Sequence, residues 1–312
     1  MPHIIPLSNA PQGSEEWLQA RKSGIGSTDS AAAVGLSQWK TPLQLWEEKT
    51  GAVDGTVEDN WYMARGRALE PVIRQHYADT YGVEVKNFDG VLRHPEFAFV
   101  LASLDGFTEQ GRMTEFKTAS SGKGWGEPGS DEIPKQYIVQ VQHAMLVTGF
   151  DVCDVGVSIM GGEPRYYEVR ADQELQTMLL SDIRFFWEEH VIKGIPPEPS
   201  TIEEKLKHYQ MDNEQIAYAN DEVFAAYEQL SAMKETKKDI ESEVKILEDT
   251  IKDFMLNAGA GVLVNPDGKP IVTWKEGKPV SRFDHVNFRA DHYDLFRQYS
   301  KEGDPIRRFL VK

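Results

Sequence analysis

The chain has 312 residues, which is enough for one large domain or two modest ones. Its hydrophobic content of 40% is typical of a globular protein, and it lacks the roughly eighteen-residue apolar run that a transmembrane helix requires. The net charge of −16 argues against a basic coat that binds nucleic acid non-specifically, but it does not exclude a local binding site.

The N-terminal segment and the cysteine content both favour a cytoplasmic protein. The first residues, MPHIIPLSNAPQGSEEW, lack the basic region and the long apolar region of a secretory signal. A single cysteine, Cys153, excludes an intrachain disulfide, which fits a reducing compartment. Because Cys153 lies in the apolar strand pattern DVCDVGVSI, we expect a buried, inert thiol rather than a nucleophile.

Four helices are predicted near the N-terminus, each closing on a glycine. Their sequences are SEEWLQARKS, GSTDSAAAVG, TPLQLWEEKTG and LEPVIRQHYADTYG. Ser27 or Thr28 is the expected N-cap of the second helix. Pro71 is expected in the first turn of the fourth helix, which places Glu70 at the helix entrance.

Strand patterns follow these helices, over GVLRHP, FAFVLASLDGFTE and RMTEFKTA. A helix is then predicted over PKQYIVQVQHAMLVTG, and two more strands over DVCDVGVSI and RYYEVR. A further helix over residues 172–191 precedes the linker GIPPEPS. This order predicts an α+β fold in which a small mixed sheet is flanked by helices.

After the linker, a heptad pattern predicts a long helix at about residues 212–257. The apolar positions of this heptad seam, interrupted only by Lys237, are Val223, Ala226, Leu230, Met233, Ile240, Val244, Leu247, Ile251 and Phe254. We expect the seam to be buried against the preceding domain, another copy of the chain or a partner protein, because an exposed seam is a large apolar surface. The turn NPDGKP then predicts a hairpin in a small mixed tail, so the chain divides into residues 1–196 and 197–312.

The stretch ASLDGFTEQGRMTEFKTAS brings two acids and a lysine into one apolar neighbourhood. A strand over MTEFKTA places Glu115 and Lys117 on one face, and Asp105 lies near the end of the adjacent strand. The two carboxylates and the backbone carbonyl of Phe116 suit a hard cation such as Mg²⁺, while Lys117 can orient a water or stabilise charge on a phosphate. The simpler alternative is a hairpin turn at Asp105-Gly106 with solvated charges on an edge strand.

Two neighbouring segments offer further polar side chains to this site. Glu70 can supply a third acidic ligand, although an exposed acid at a helix N-terminus is equally expected. On the helix after the motif, Gln136, Gln140 and His143 form a polar stripe, and such a stripe is usually a solvated face. The opposing stripe, which is expected to pack inward, consists of Tyr137, Val141, Ala144 and Thr148.

The first two helices offer an anion site. A helix start at STDS supplies free backbone N–H groups and the hydroxyl of Thr28. Arg21 lies one helix earlier and can donate two hydrogen bonds to the same anion. The alternative is a capping serine or threonine beside a surface arginine.

Five motifs occur in an order and at a spacing that match a known family. They are W-LQA-R with GIGSTD, then GRALE, SLDG, TEFK and YIVQVQHAMLVTG, and they span Trp17 to Gly149. On these motifs the chain resembles the YqaJ-type viral recombinases, which are relatives of lambda exonuclease in the PD-(D/E)xK nuclease superfamily. One departure is that Leu104 stands where the superfamily has a proline before the first aspartate, and that position is tolerant.

The resemblance implies a Mg²⁺-dependent 5′→3′ exonuclease that resects double-stranded DNA to 3′ single strands for recombination by strand annealing, in a phage or mobile element. Carried over by position, the catalytic residues are Glu70, Asp105, Glu115, Lys117 and Gln140. The implied ligands of two Mg²⁺ ions, for which Mn²⁺ can substitute, are Glu70, Asp105, Glu115 and the backbone carbonyl of Phe116. The residues that match a site for the terminal 5′-phosphate are Arg21, Ser27 and Thr28.

The same resemblance implies partners and a setting. Residues 1–196 are the expected nuclease domain, acting on double-stranded DNA ends in a bacterial host cytoplasm with no membrane contact, and residues 197–312 carry no motif that transfers. A single-strand annealing protein is the expected partner, and relatives imply a homo-oligomeric ring around DNA. Two alternatives stay open: an endonuclease of restriction or repair type, and a non-catalytic protein that binds DNA ends. The intact Asp105, Glu115 and Lys117 argue against the second alternative.

Overall fold

Short strands organise the N-terminal part of the computed structural model, which describes residues 4–53, 60–209, 211–301, 303 and 307–311. In chain order they are β1 (Pro6–Ser8), β2 (Val85–Lys86), β3 (Val91–Arg93), β4 (Leu101–Ala102), β5 (Gly106–Thr108), β6 (Met113–Ala119), β7 (Val152–Ile159) and β8 (Arg165–Arg170). One sheet has the order β2-β5-β6-β7-β8, and a second has the order β1-β3-β4. Because only β6 and β7 are parallel, the larger sheet is mixed, as the sequence predicts.

Helices cover both faces of the larger sheet. They are α1 (Glu15–Lys22), α2 (Ser27–Ala33), α3 (Pro42–Thr50), α4 (Trp61–Tyr81), α5 (Lys135–Thr148), α6 (Gln173–Phe185) and α7 (Ile202–His208), and a π-helical segment, Phe186–Ile192, continues α6. α4 packs through Ile73 and Tyr77 against Phe116 of β6. α5 connects the parallel strands and packs on the opposite side in the main core, which also buries Cys153. Burial raises the pKa of the Cys153 thiol, so this cysteine is inert, as expected.

The fourth helix is longer than the sequence pattern predicts. α4 begins at Trp61, where the side chain of Asn60 accepts hydrogen bonds from the backbone N–H groups of Tyr62 and Met63. Pro71 therefore lies inside the helix, where it removes only one backbone hydrogen bond. The prediction that Glu70 stands at a helix entrance is wrong, and Glu70 instead projects from the middle of α4.

The second helix also begins differently from the prediction. Gly26, rather than Ser27 or Thr28, is its N-cap, and the Asp29 carboxylate accepts a hydrogen bond from the Gly26 N–H at 3.2 Å. Just before it, the Ile25 N–H donates to the carbonyl of Phe99 at 2.7 Å. A Cβ atom on Gly24 would lie 2.1 Å from that carbonyl oxygen, so only glycine allows the α1–α2 connection to approach the strand that leads to Asp105.

The boundary between the two compact units lies later than the sequence predicts. The units are Met1–Met211 and Asp212–Lys312, so the first extends past residue 196. α7, which was not predicted as a separate helix, belongs to this first unit. Its Glu204 is 7% exposed and accepts a hydrogen bond from the hydroxyl of Thr41, which ties the segment after the linker back to α3.

The second unit contains the predicted long helix in a shorter form. It consists of α8 (Asp221–Asn257), β9 (Val262–Val264), β10 (Pro270–Thr273), α9 (His285–Asp291) and α10 (Tyr293–Tyr299). α8 starts at Asp221 rather than near residue 212, because the side chain of Asn220 caps it. β9 and β10 form the predicted hairpin. The heptad seam is exposed in the single chain, with Met233 69% and Leu247 64% accessible, so of the three expected partners the preceding domain does not cover it. None of the helices in the described ranges is both long and apolar enough to span a bilayer.

Candidate active site

The pairing of β5 with β6 brings the two motif acids together. Gly106 of β5 lies opposite Thr114 of β6, so Asp105, just before β5, lies beside the middle of β6. The Asp105 carboxylate accepts a hydrogen bond from the backbone N–H of Phe116 at 2.7 Å. Asp105 is therefore positioned by the sheet and is not part of a β5–β6 hairpin turn, which lies further along the chain between Thr108 and Arg112.

Glu115 is a buried carboxylate with two side-chain donors. It is 4% exposed, and its Oε1 atom accepts hydrogen bonds from Lys117 Nζ and, at 2.6 Å, from Gln140 Nε2. Burial and the Asp105 carboxylate raise the pKa of Glu115 to about 7, although Lys117 partly opposes them. Burial lowers the pKa of Lys117, but the Glu115 and Asp105 carboxylates outweigh it and hold that pKa above its usual value, so the lysine is a cation.

Glu70 reaches the same place from α4, where it is paired with an arginine that the sequence analysis did not single out. Arg74 donates to the Glu70 carboxylate at 2.5 Å and to the backbone carbonyl of Asp105 at 2.9 Å. Burial and Asp105 raise the pKa of Glu70, against the opposing effect of Arg74 and Lys117. The spacing of four residues between Glu70 and Arg74 on a helix is a signal that could have revealed the pair.

The crowding of these acids predicts a dependence of stability on pH. The pKa of Glu115 is about 7 when folded against 4.5 as the ordinary value, so between these pH values the unfolded chain loses a proton that the folded chain keeps. The contribution of Glu115 to the free energy of unfolding is thus fully present below pH 4.5 and is lost as the pH rises to 7. We expect Glu115→Gln, which carries no titrating proton, to become progressively more stable than the wild type across this window.

Urea unfolding in EDTA, measured for both proteins at several pH values, tests this expectation. Added Mg²⁺ should narrow the difference, because a cation offsets the repulsion between the carboxylates. A stability difference that does not change between pH 4.5 and 7 would contradict the raised pKa of Glu115.

The donor set of this cluster suits a hard divalent cation. Glu70, Asp105, Glu115 and Phe116 line one pocket and offer carboxylate and carbonyl oxygens, which are the ligands that Mg²⁺ and Mn²⁺ prefer. In the part of the chain that the structure describes, no three carboxylate, imidazole or thiol groups converge at metal-binding distance. The three carboxylates do not converge because each one is hydrogen-bonded to a different donor. Glu70 accepts from Arg74, Glu115 accepts from Lys117 and Gln140, and Asp105 accepts from the backbone N–H of Phe116. A cation would compete for the same oxygens and relieve the repulsion that raises the pKa of Glu70 and of Glu115.

The residues of the predicted anion site line the same pocket as the acids. The Arg21 guanidinium donates to the hydroxyl of Thr28 at 2.7 Å, and Ser27 is 4% exposed beside them. The pocket has a volume of about 190 Å³. Its lining includes Arg21, Ser27, Thr28, Glu70, Asp105, Glu115, Lys117 and Gln140. The structure thus places the sequence-predicted anion residues and acidic residues together.

The negative charge of Asp29, which would repel an anion, is compensated by two neighbouring cations. Its carboxylate accepts a hydrogen bond from the buried ammonium of Lys49 at 2.8 Å and lies 3.6 Å from Arg21. Burial raises the pKa of Asp29, but Lys49 and Arg21 outweigh burial and hold that pKa well below its usual value. Asp29 does not line the pocket, so the acid next to Thr28 positions Arg21 rather than facing the pocket.

Trp17 is a pocket residue whose role was not predicted. Its ring lies 4.7 Å from the guanidinium carbon of Arg21, a cation–π contact that orients the arginine. The ring is 6% exposed, and its Nε1–H group is buried with no hydrogen-bond acceptor among the described residues. A buried donor that lacks an acceptor is uncommon in folded proteins.

The polar stripe of α5 is buried, not solvated. Gln136, Gln140 and His143 are 8%, 7% and 0% exposed, so the usual interpretation of a polar stripe as a solvated face is wrong here. The expectation that the opposing stripe packs inward is confirmed for Val141, Ala144 and Thr148. Gln140 contacts Glu115, while His143 Nε2 lies 2.8 Å from the carbonyl of Leu101, next to the strand that leads to Asp105. Burial lowers the pKa of His143 to about 4, so this histidine is a neutral structural group at neutral pH.

A larger groove of about 910 Å³ adjoins the pocket. Tyr137 connects the two, because it lines the groove and its ring lies 5.3 Å from the ammonium nitrogen of Lys117. The described residues that line the groove include aromatic and cationic side chains but no aspartate or glutamate. The cationic ones are Arg65, Lys123 and Lys135, and the most exposed aromatic ones are Trp39 and Tyr62. In a chain with 50 acidic residues, a groove whose described charged side chains are all cationic is a local region of positive charge.

Comparison with known sequences agrees with the motifs. A family model for the YqaJ-like viral recombinase domain matches residues 16–151, which contain the pocket residues from Trp17 to Gln140. A protein of Bacillus subtilis described as uncharacterized protein YqaJ is 31% identical over 323 aligned positions, which cover 99% of this chain and 97% of that protein.

Comparison with solved structures identifies the same fold. The crystal structure of an alkaline exonuclease from Laribacter hongkongensis, LHK-Exo, matches with a TM-score of 0.50 and 24% sequence identity. The match covers 58% of this chain and 94% of LHK-Exo. At this identity the likeness establishes a shared α+β fold, as the sequence analysis predicts.

Proposed function

Because the chain belongs to the YqaJ-like viral recombinase family, we propose that it is a metal-dependent nuclease that removes nucleotides 5′→3′ from the ends of double-stranded DNA. The observation that carries this proposal is the single pocket in which Asp105, Glu115 and Lys117 lie beside the anion-binding group of Arg21 and Thr28. The first set suits phosphodiester hydrolysis, and the second suits a terminal phosphate. An exonuclease needs both at a fixed separation.

The acids and the lysine divide the chemistry between them. Glu70, Asp105, Glu115 and the carbonyl of Phe116 are the proposed ligands of two Mg²⁺ ions, which when bound polarise the scissile phosphate and lower the pKa of water. Lys117 lies against Glu115, where its ammonium can orient the attacking water and stabilise the charge that develops on the phosphate.

Two further residues hold this arrangement in place. Gln140 donates to Glu115 and restricts the carboxylate to one orientation, and Arg74 does the same for Glu70. Arg74 also donates to the carbonyl of Asp105, so that one side chain sets the distance between α4 and the strand end. Such positioning is what in-line attack on a phosphate requires.

The anion site formed by Arg21, Ser27 and Thr28 accounts for the proposed 5′→3′ direction of digestion. Each cut by a 5′→3′ exonuclease leaves a new 5′-phosphate, and an enzyme that binds this phosphate places the next scissile bond over the acids. Arg21, Thr28 and Ser27 supply the cation and the hydroxyl groups, and Trp17 supplies an N–H that lacks an acceptor. We propose that these residues bind the 5′-phosphate and favour forward movement.

The groove next to the pocket supports a path for a DNA strand. Arg65, Lys123 and Lys135 can contact phosphates, and Trp39 and Tyr62 can stack on bases, a combination that single-stranded nucleic acid favours. Trp39 is 69% exposed and Tyr62 is 64% exposed, so both rings are accessible.

The product of such an enzyme is a 3′ single strand, so we propose a single-strand annealing protein as its partner in recombination, in the cytoplasm of a bacterial host. Linear duplex DNA labelled at either 5′ or 3′ end, with and without Mg²⁺, tests the activity. Release of mononucleotides from the 5′ end only with a divalent metal is the expected result. Cleavage of covalently closed plasmid into defined fragments would instead indicate a restriction-type endonuclease, and metal-independent binding without any cleavage would indicate a protein that only binds DNA ends.

A further inference from the structure

The heptad seam of α8 is an apolar surface that the proposed nuclease activity does not use. α8 is continuous from Asp221 to Asn257, and its seam side chains are exposed in the single chain except for Leu230, which is partly buried. The accessible fractions include 69% for Met233, 54% for Ile240, 64% for Leu247 and 61% for Phe254. A seam of this length with apolar residues at alternating spacings of three and four is the signature of a helix that pairs with another. We propose that α8 pairs with α8 of a second copy of this chain in an antiparallel coiled coil.

The charges that flank the seam decide between the two orientations. With Val223 at position a, a parallel pair would place Lys237 against Lys237 of the second copy in one core layer. It would also place Glu243 against Glu248 of the second copy, twice by symmetry. Both contacts are between like charges, so the parallel arrangement is disfavoured.

An antiparallel pair removes these repulsions and gains opposite-charge contacts. In the register that overlaps the two helices over their full length, Lys237 faces Ile240 of the second copy, and Leu230 faces Leu247. At the edges of the seam, Lys234 faces Glu241 of the second copy, and symmetry repeats this contact. The edge residues Glu243 and Glu248 then face Thr236 and Tyr227, neither of which is acidic.

The remaining charges of α8 are compatible with self-pairing. α8 carries ten acidic and five basic residues, so self-pairing must keep the acids apart. Six of the acids, Asp221, Glu228, Glu235, Asp239, Asp249 and Asp253, are at outer heptad positions and point away from the seam. Lys237 is 3.6 Å from Glu241 in the same helix, so its charge has a partner at the edge of the seam. A single lysine at a core position lowers stability but helps to specify the register.

Charge exchange at Lys234 and Glu241 tests both the pairing and its orientation. In the full-length protein, sedimentation equilibrium should show a wild-type species with twice the mass of the species formed by the seam variant Leu247→Asp, both in multiples of the 35.3 kDa chain mass. Lys234→Glu alone and Glu241→Lys alone each convert two attractive contacts to repulsive ones, so each should raise the dimer dissociation constant by about tenfold. An equimolar mixture of the two variants should form a heterodimer with an affinity within about twofold of the wild type, because both edge contacts become attractive again.

Two controls separate pairing from folding. Lys238→Glu makes the same charge change at an outer position and should leave the dissociation constant within about twofold of the wild type, whereas Leu247→Asp in the seam should raise it at least about a hundredfold. Circular dichroism should show unchanged helix content in all four variants.

A label on an introduced cysteine reports the orientation directly. Cys153 is buried, so thiol labelling of Ala225→Cys is selective for the outer face of α8. In an antiparallel dimer the two labels lie about 40 Å apart, from the rise of about 1.5 Å per residue between positions 225 and 252. A parallel dimer would bring them within about 20 Å. The proposal is overturned if the wild type is monomeric at all concentrations, if Leu247→Asp leaves the oligomer unchanged, if the mixture does not restore the dimer, or if the labels are close. These measurements do not depend on nuclease activity.

Discussion

Lys117→Met should reduce the rate of DNA hydrolysis by roughly 10² or more while leaving Mg²⁺ binding largely intact. The lysine is positively charged, and its ammonium contacts Glu115, one of the proposed metal ligands on β6. Its loss removes stabilisation of the developing phosphate charge without removing an oxygen ligand. Asp105→Asn and Glu115→Gln should reduce the rate by at least the same factor, and both should also weaken Mg²⁺ binding.

The design of these variants keeps the fold intact. An asparagine at 105 can still accept the hydrogen bond from the Phe116 N–H, and removing like charges from a crowded cluster relieves repulsion. Single-turnover digestion of end-labelled duplex measures the rate, and isothermal titration with Mg²⁺ measures the binding. Glu109→Gln removes the charge of an exposed carboxylate on the same hairpin, whose partner among the described residues is Lys86; it is the matched control and should be as active as the wild type. A variant of Lys117 with wild-type turnover would remove that residue from the proposed chemistry.

Arg21→Ala should slow digestion of 5′-phosphorylated duplex by about 10- to 100-fold and should slow 5′-hydroxyl duplex little. The range follows from the roughly 1.5–3 kcal/mol that a charge-assisted hydrogen bond contributes, which only the phosphorylated end can use. The Mg²⁺ affinity should not change, because Arg21 contacts Thr28 and Trp17 but none of the acids that are proposed to bind metal.

Trp17→Phe gives a sharper test of the same site. Phenylalanine retains a ring for the cation–π contact with Arg21 but lacks the Nε1–H donor that has no acceptor in the described structure. If that donor binds the terminal phosphate, the variant should lose part of the preference for phosphorylated ends while keeping its stability. Lys22→Ala, at an exposed neighbouring position, is the control for loss of a positive charge. Equal digestion of both kinds of end by the wild type, or equal slowing of both by Arg21→Ala, would exclude a 5′-phosphate site here.

The local patterns in the sequence determined much of the fold. The glycines that end α3 and α5 and the alternating pattern of MTEFKTA all describe neighbours along the chain, and each predicted its element correctly. The order of the motifs identified the family, because five weak matches in a fixed order are far more specific than any one of them.

The tertiary structure decided where the polar residues of the site lie. The pairing of Asp29 with Lys49 and of Gln140 with Glu115 joins residues that are far apart along the chain, so no local pattern reports them. A polar stripe on α5 has the same period whether it faces water or a buried carboxylate, and only the packing of α5 against the sheet distinguishes these cases.

The same limit applies to the start of α4 and to the surroundings of α8. Pro71 usually marks the first turn of a helix, but a helix already capped at Asn60 and packed on Phe116 tolerates the loss of one hydrogen bond, so Glu70 projects from its middle. For α8, the heptad pattern determined the helix and its apolar face by itself. Whether that face is covered within one chain depends on contacts between distant segments, and in the folded chain its side chains are exposed. Periodicity along a chain specifies which face of a helix is apolar, whereas the burial of that face is a property of the tertiary structure and its assembly.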